Sequence, residues 1–273
     1  MKTKKSNYYR LFIIALMFNS SALAQKANLD IINGNDAEKG EYPYFVDLNY
    51  SHSSNINEHH CGGVMLNDSW ILTAAHCVDD KNTKLFAYIG RDSYYPDHYL
   101  HKANIEKVVI HEKWYSPLPN GSKGNNSSGD IALIKIDHPI NNIPFIKYDT
   151  LPNQHPINIG DNVTIIGFGV DSHNQVPVNL QKKEIKILPD PACIDVPENY
   201  PVTNFEPEFS LCAGDDTGGT SGGDSGGPLL SKNAQGESIT IGVVSRSLNP
   251  PAKSFTRVSK YSDWIDSVIN SNE

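Results

Sequence analysis

Residues 218–228 read Gly-Gly-Thr-Ser-Gly-Gly-Asp-Ser-Gly-Gly-Pro, a glycine-rich stretch around the single pair Asp224-Ser225. Glycine adopts backbone conformations that other residues resist, so such a stretch can turn several N–H groups into one small cavity. A serine placed there could attack a carbonyl carbon while the N–H groups hold the resulting oxyanion. The alternative is a flexible Gly/Ser loop, which is the commoner fate of such a segment.

A histidine that follows an apolar run is the second feature. The run Trp70–Thr73 predicts a strand, and Ala74-Ala75-His76-Cys77 comes directly after it. A serine hydroxyl hardly ionises at neutral pH and needs an adjacent base, most often a histidine. His59 and His60 form another conspicuous pair. Because adjacent strand residues point to opposite faces, a shared metal site there is not expected.

An aspartate at the head of an apolar strand is the third feature. Asp130 precedes Ile131-Ala132-Leu133-Ile134. A buried carboxylate is costly unless it has a partner, and a role in orienting the histidine base would supply one. The alternative is a turn aspartate that closes the preceding loop.

Together the three features resemble the chymotrypsin-like (trypsin-like) serine protease family. The chain order His76, Asp130, Ser225 is that family's order, whereas subtilisins and α/β-hydrolases use other orders. The resemblance runs from residue 31 to the end of the chain. Further matching motifs are Cys61-Gly62-Gly63, Leu211-Cys212-Ala213-Gly214, Gly242-Val243-Val244-Ser245, Thr256-Arg257-Val258 and Tyr261-x-x-Trp264-Ile265.

The resemblance implies an all-β fold of two six-stranded antiparallel barrels with a C-terminal α-helix and the active site in the cleft between the barrels. It implies that Ser225 is the nucleophile, that His76 is the general base and then acid, and that Asp130 holds the imidazole. The N–H groups of Gly223 and Ser225 would form the oxyanion hole. Ser245 would begin the edge that pairs with the substrate backbone. No cofactor is implied.

The chain has four cysteines, Cys61, Cys77, Cys193 and Cys212. An even number in an exported chain favours disulfides, although spacing alone leaves three pairings open. The resemblance implies the pairs Cys61–Cys77, beside His76, and Cys193–Cys212. Zinc is the alternative, but no Cys-x-x-Cys or paired histidine spacing supports a metal site.

The first 24 residues are typical of a signal peptide. A positively charged start is followed by an apolar run at residues 11–18 and by the small-x-small end Ser21-Ala22-Leu23-Ala24. A buried N-terminal helix is the alternative, and the run is too short to span a bilayer, which needs roughly 20 residues. We therefore expect cleavage after Ala24 and a secreted protein, extracellular or periplasmic, with no membrane span.

Residues 25–30 would then form a short propeptide ahead of a protease domain at 31–273. The segment Ile31-Ile32-Asn33-Gly34 resembles the family's mature N-terminus. Cleavage after Asp30 would free the Ile31 amine, which the resemblance implies would turn inward and pair with Asp224, because a buried carboxylate needs such a partner. The alternative is that Ile31 is an ordinary first strand residue.

The charge of the chain bears on its partners. Five of its 23 basic residues and one of its 31 acidic residues lie in the first 30 positions, which leaves 18 and 30, a net charge of −12. Phosphate contacts need clustered Lys and Arg, so nucleic acid is not an expected partner. We expect a soluble monomer that acts on proteins or peptides.

Short apolar or alternating runs separated by Gly, Pro, Asn and Ser predict an antiparallel sandwich or barrel. They cover residues 44–48, 70–73, 85–89, 105–110, 131–136, 163–168, 183–188 and 239–244. From Tyr261 to Val268, apolar residues recur at i, i+3, i+4 and i+7, which predicts an amphipathic helix with Ser262 or Ser259 as its cap. The composition of residues 117–130 predicts a mobile surface loop.

The specificity pocket follows from the resemblance. Family members that cut after Lys or Arg have an aspartate six residues before the nucleophile, where this chain has Gly219, followed by the wall residue Thr220. Four residues before Arg257 the family has a glycine, where this chain has Lys253. The pocket therefore resembles that of granzyme B, which implies cleavage after Asp or Glu. Asp30, ahead of the predicted activation site, agrees with this preference.

Three alternatives remain open from the sequence. A one-residue insertion would place Ala252 on the pocket wall and turn Lys253 outward, leaving a neutral, chymotrypsin- or elastase-like pocket between Ser245 and Ser247. The chain could also be a non-catalytic binding protein on a protease fold, although such relatives usually lack a triad residue. A disulfide-stabilised adhesion or lectin-like β domain is the third.

Arg246 stands where the family has a tryptophan and favours acidic or polar upstream substrate residues.

Overall fold

The structure is a computed structural model, and it describes residues 31, 34–50, 59–82, 84–117, 127–150, 156–171, 173–194, 205–247 and 252–271. The predicted signal peptide and propeptide lie outside the described residues, as does most of the loop predicted at 117–130. Within the described residues, no helix combines the length and apolar character that crossing a membrane would need.

Strands dominate the described residues, and a helix lies at the C-terminal end. The strands are β1 (Asn35–Asp36), β2 (Phe45–Asn49), β3 (His59–Met65), β4 (Trp70–Thr73), β5 (Phe86–Ile89), β6 (His101–Ile110), β7 (Ala132–Ile136), β8 (Lys147–Tyr148), β9 (Asn162–Gly167), β10 (Gln181–Ile187), β11 (Ser210–Gly214), β12 (Pro228–Lys232), β13 (Ser238–Ser247) and β14 (Ala252–Arg257). The helices are α1 (Pro191–Ile194) and α2 (Ser262–Asn270), and short 3₁₀ turns cover Ala75–Cys77, Glu112–Tyr115, Ser127–Gly129 and Val258–Tyr261.

Six strands close the first barrel in the order β2-β3-β4-β7-β6-β5, all antiparallel. Its interior is filled by apolar side chains such as Val64, Leu72 and Leu133, which are 0–1% exposed. Alternating inward and outward residues along each strand provide this filling. The barrel fixes the ends of β4 and β7, from which His76 and Asp130 project.

The second barrel closes in the order β9-β10-β11-β14-β13-β12, with β12 returning to β9. β1 pairs with the first two residues of β10, and β8 pairs in parallel with β13. Ile165, Leu211, Leu229 and Phe255 form part of its buried core. The expectation of two six-stranded antiparallel barrels is therefore confirmed.

The two barrels meet at β3. Gly62 of this strand donates its backbone N–H to the carbonyl of Ser225, with an N–O distance of 2.7 Å. A Cβ on Gly62 would lie 3.0 Å from the Gly227 Cα, so a larger residue would push the glycine-rich segment away. Glycine here allows the close approach of the two chain segments.

The eight predicted runs correspond to β2, β4, β5, β6, β7, β9, β10 and β13. Several strands were not located from local pattern, among them β3, β11, β12 and β14. In β3, β11 and β14, glycine, serine or lysine occupies buried positions, namely Gly62, Gly63, Ser210, Lys253 and Ser254. Their residues therefore do not show the alternation that the eight runs show.

The predicted C-terminal helix is confirmed as α2, whose Ile265 is fully buried. The prediction of a serine cap is wrong, because the N-cap residue is Tyr261 and makes no side-chain cap bond. The preceding 3₁₀ turn leads straight into the helix, and the Ser262 hydroxyl donates instead to the carbonyls of Ser259 and Thr150.

The prediction of a mobile surface loop at 117–130 is wrong for the C-terminal end of this segment. Ser128 is fully buried, and its carbonyl accepts a hydrogen bond from the Tyr261 hydroxyl. Gly129 packs so closely on the Lys113–Trp114 backbone that a Cβ would collide with it. This end is held because it leads into the buried Asp130.

Both expected disulfides are present, Cys61–Cys77 and Cys193–Cys212. We predict that replacing Cys61 and Cys77 together by alanine lowers the free energy of unfolding by about 3 kcal/mol, because the bond restricts a 16-residue loop in the unfolded chain. Urea unfolding of the parent protein and of the double variant measures this. An unchanged unfolding midpoint would contradict it.

Candidate active site

His76 lies in the 3₁₀ turn Ala75–Cys77, directly after β4. The disulfide between Cys77 and Cys61 ties this turn to β3, and the side chain of His76 is 30% exposed. Nitrogen and sulfur atoms of His76, Cys61 and Cys77 lie within 4.8 Å of one another. Both sulfurs are held in the disulfide, so this group has no thiolate to offer a metal.

Asp130 is buried between the two barrels, with its side chain 1% exposed. Its Oδ2 accepts hydrogen bonds from His76 Nδ1 at 2.7 Å and from the Ser245 hydroxyl at 2.6 Å, and its Oδ1 accepts from the His76 backbone N–H at 2.9 Å. The Thr256 hydroxyl donates to the Asp130 carbonyl. Three donors thus compensate the cost of burying this carboxylate.

The environment of His76 favours its charged form. Burial acts to lower the pKa of His76, but the Asp130 carboxylate outweighs this effect and raises the pKa above its ordinary value, while the Arg246 charge opposes the rise. Because Nδ1 donates to Asp130, the neutral imidazole carries its lone pair on Nε2. This nitrogen is therefore available to accept a proton.

Ser225 lies against the segment that leads to His76. Its carbonyl accepts from the Gly62 N–H, and a Cβ on Gly226 would collide with Thr73 at the end of β4. Among the residues described, no hydrogen bond joins the Ser225 hydroxyl to His76. Such bonds are often long in structures without substrate and tighten when substrate binds.

The peptide groups around Gly223 are fixed on both sides. The Gly222 carbonyl accepts from the Val170 N–H at 2.8 Å, and the Gly223 carbonyl accepts from His59 Nε2 at 2.9 Å. Gly223 has φ +101°, in the region that disfavours other residues, and a Cβ there would lie 3.0 Å from the His59 ring. In a trans peptide the N–H points opposite to the carbonyl, so the Gly223 N–H is directed away from Val170.

Asp224 is buried beneath this loop, 1% exposed. Its carboxylate accepts from the backbone N–H groups of Gly169 and Ser221, each at 2.8 Å. Burial raises the pKa of Asp224, and the backbone hydrogen bonds only partly oppose this. In the uncleaved chain the Ile31 nitrogen is part of a peptide bond, and the Ile31 side chain is buried in the core of the second barrel.

Lys253 lies beside the predicted pocket floor. A Cβ on Gly219 would be 3.5 Å from Lys253 Cε, and Thr220 next to Gly219 is 1% exposed. Lys253 is itself 6% exposed, and burial lowers its pKa against the opposing effect of Asp224. Within the part of the chain that the structure describes, its ammonium group has no hydrogen bond or ion pair.

The residues of β13 and β14 that neighbour Lys253 make different contacts from it. Ala252 packs against the Cys193–Cys212 disulfide, on the opposite face of β14 from Lys253. The backbone of Ser247 pairs with Lys253 across the two strands, and Arg246 is exposed to solvent. Ser245, at the strand position before Arg246, is bonded to Asp130.

Sequence reasoning missed a second buried Asp–His pair, formed by Asp47 and His59 at 2.6 Å. Arg91 also binds Asp47, at 2.6 Å. The available signal was an aspartate within the apolar run 44–48. His60, the strand neighbour of His59, contacts a different group, the Cys77 carbonyl.

Two six-stranded barrels with this cluster between them define the chymotrypsin-like fold. The solved structure of human heparin binding protein is similar, with a TM-score of 0.68 over 87% of this chain and 96% of that chain. The sequences are 21% identical, so this similarity establishes the fold alone.

The chain belongs to the trypsin family, whose model matches residues 31–265. It is 31% identical over 248 residues to the venom peptide isomerase heavy chain of Agelenopsis aperta, covering 86% of this chain and 98% of that protein. It is 30% identical over 250 residues to the serine proteinase stubble of Drosophila melanogaster, covering 86% of this chain but 30% of stubble. A snake venom serine protease of Bothrops insularis is 29% identical, covering 96% of this chain and 95% of that protein.

The charge of Arg246 gives a prediction about His76. Because Arg246 disfavours the imidazolium, Arg246→Ala should raise the pKa of His76 further, whereas Arg246→Lys should leave it nearly unchanged. NMR titration of the His76 ring in the Ser225→Ala protein measures both values. Equal pKa values in the alanine and lysine variants would contradict the prediction.

Proposed function

We propose that the chain is a secreted serine endopeptidase that hydrolyses peptide bonds through Ser225, His76 and Asp130. The observation that carries this proposal is the buried Asp130 carboxylate, which holds His76 through Nδ1 in a chain of the trypsin family. This contact leaves Nε2 as the basic nitrogen, as proton transfer from a serine requires.

The reaction follows from these positions. His76 Nε2 takes the Ser225 proton as Oγ bonds to the substrate carbonyl carbon, and the N–H groups of Gly223 and Ser225 hold the oxyanion. His76 then gives the proton to the leaving amine as the C–N bond breaks, which leaves an acyl group on Ser225. Water, deprotonated by His76, attacks the acyl carbon, and Oγ leaves with the returned proton.

The proposal includes activation by cleavage after Asp30, following removal of a signal peptide. Asp224 supports this step, because its buried carboxylate has backbone partners but, among the described residues, no cationic group within hydrogen-bonding distance. An ammonium group arriving from Ile31 would compensate this charge. The compensation would hold the loop that carries Gly223 and Ser225.

The activation step gives a prediction. The purified chain that begins at Ile31 should react with a fluorophosphonate probe at Ser225, and uncleaved Asp30→Ala protein should react at least about tenfold more slowly, because the oxyanion-hole segment lacks the ammonium partner. N-terminal sequencing identifies each species, and Ser225→Ala is the blank. Equal labelling of the cleaved and uncleaved chains would refute activation at this site.

Lys253 supports a preference for acidic residues at the cut site. Lys253, which is 6% exposed, has no anionic partner among the described residues and packs beside Gly219, the residue expected at the pocket floor. A substrate Asp or Glu carboxylate would give it a charge-assisted hydrogen bond, which is stronger than a neutral one. Arg246 adds a second positive charge near upstream substrate residues.

We predict that the cleaved protein cuts a mixed peptide library after Asp or Glu, read by mass spectrometry. Lys253→Ala should lower kcat/KM for these sites by about 10- to 100-fold, the equivalent of one hydrogen bond to a charged group. The matched control is Lys147→Ala, because Lys147 pairs with Glu237 on an exposed surface.

The outcomes of this experiment are distinct. Cuts after neutral residues, unaffected by Lys253→Ala, would replace the acidic preference with a chymotrypsin- or elastase-like one. No cuts beyond the Ser225→Ala blank, with the N-terminus confirmed at Ile31, would overturn the endopeptidase proposal. A non-catalytic binding role would then be the remaining candidate.

A further inference from the structure

Asp47 is a fully buried carboxylate in β2 with four hydrogen-bond donors around it. Its Oδ1 accepts from His59 Nδ1 at 2.6 Å. Its Oδ2 accepts from Arg91 at 2.6 Å, from the Tyr94 hydroxyl at 2.9 Å and from the Asn49 amide at 2.5 Å. This cluster lies in the first barrel and takes no part in the reaction steps above.

The partners of His59 fix its protonation. Nδ1 faces the Asp47 carboxylate and Nε2 faces the Gly223 carbonyl at 2.9 Å, and each of these partners only accepts hydrogen bonds. Both ring nitrogens must therefore carry a proton, which makes the ring an imidazolium. Burial works against this charge, but Asp47 outweighs it and raises the pKa of His59 above its ordinary value.

Charged and polar groups from several segments surround His59. Asp47 comes from β2, Arg91 and Tyr94 follow β5, and Asp224 comes from the serine loop. The side chains of His59 and Asp47 are 2% and 0% exposed, so little water competes for their hydrogen bonds. A hydrogen bond from a charged donor in such a site is shorter and stronger than one between neutral groups.

We propose that His59 is a positioning residue of the active site, whose imidazolium is held by Asp47 and donates from Nε2 to the Gly223 carbonyl, thereby fixing the peptide group that directly follows the one carrying the Gly223 N–H. The Val170 N–H fixes the preceding carbonyl, that of Gly222. With both neighbouring carbonyls held, the Gly223 N–H is oriented before substrate arrives. This inference rests on the proposed function, in which that N–H holds the oxyanion.

Two amide side chains separate this role from a merely structural one. The terminal amide nitrogen of Gln corresponds to His Nε2 and can reach the Gly223 carbonyl, whereas that of Asn corresponds to Nδ1 and reaches Asp47 alone. A structural role, namely a partner for the buried Asp47, would be rescued by His59→Asn. A positioning role would be rescued by His59→Gln.

We expect His59→Asn to lower kcat by about 100-fold with KM changed less than about threefold, because disabling one oxyanion donor costs about that much. His59→Gln should stay within about tenfold of the parent. The affinity for a peptide boronate, whose tetrahedral adduct places an oxygen in the oxyanion hole, should fall in parallel with kcat. His138→Asn is the matched control, since the His138 side chain, which pairs with Asp137, is 55% exposed.

A second measurement does not depend on a variant that folds. Nitrogen-15 NMR of the histidine rings in the Ser225→Ala protein should show both His59 ring nitrogens protonated at pH 7. A neutral His59 ring would overturn the proposal, as would an unchanged kcat in His59→Asn or rescue by Asn rather than Gln.

The failure of the proposed function would look different. In that case the parent protein itself would neither cut peptides nor react with a fluorophosphonate, whatever the protonation of His59. An active parent whose kcat does not respond at His59 would remove this inference and leave the endopeptidase function intact.

Discussion

The buried carboxylate of Asp130 is the group on which the arrangement of the two barrels depends. It projects from the start of β7 in the first barrel, yet it accepts from His76 of that barrel and from Ser245 of the second. Its backbone carbonyl is bonded to Thr256, also of the second barrel. Separating the barrels would remove one of the three donors to this charge, the Ser245 hydroxyl, and a hydrogen bond to a charged group contributes about 1.5–3 kcal/mol. The same carboxylate orients the imidazole of His76, so one group both links the two barrels and positions the histidine.

The buried charged groups differ in how many hydrogen-bond partners the protein gives them. Asp47 has four donors and needs no further partner. Asp224 has backbone donors that do not fully offset its burial. The ammonium group of Lys253 has, within the described ranges, no hydrogen-bonding partner. Asp224 and Lys253 lie nearest the predicted activation and specificity positions, where a new chain terminus or a ligand would supply the missing interaction.

Sequence alone predicted what depends on short segments. The runs that became β4, β7 and β13 are apolar over their own length, and the disulfide pairs followed from family resemblance. The Asp47–His59–Arg91 cluster was not predictable in this way. Its members are separated by 12 and 44 positions along the chain and meet only because β2 pairs with both β3 and β5. A polar residue in an apolar run indicates that a partner exists, but strand pairing decides which residue it is.

The side of β14 that Lys253 occupies was left open by the sequence, since a shift of one residue moves every side chain of a strand to its other face. In the structure, packing against the Cys193–Cys212 disulfide shows which residues of β14 lie on which face. Ala252 packs against this disulfide, and Cys212 of β11 pairs with Ser254 of β14. The even-numbered residues of β14 therefore lie on the face of the strand that packs on the disulfide. Phe255 on the other face is buried in the barrel core, which leaves Lys253 on the interior side at the mouth of the barrel. A disulfide distant from the proposed reacting atoms thus fixes which face of β14 carries Lys253.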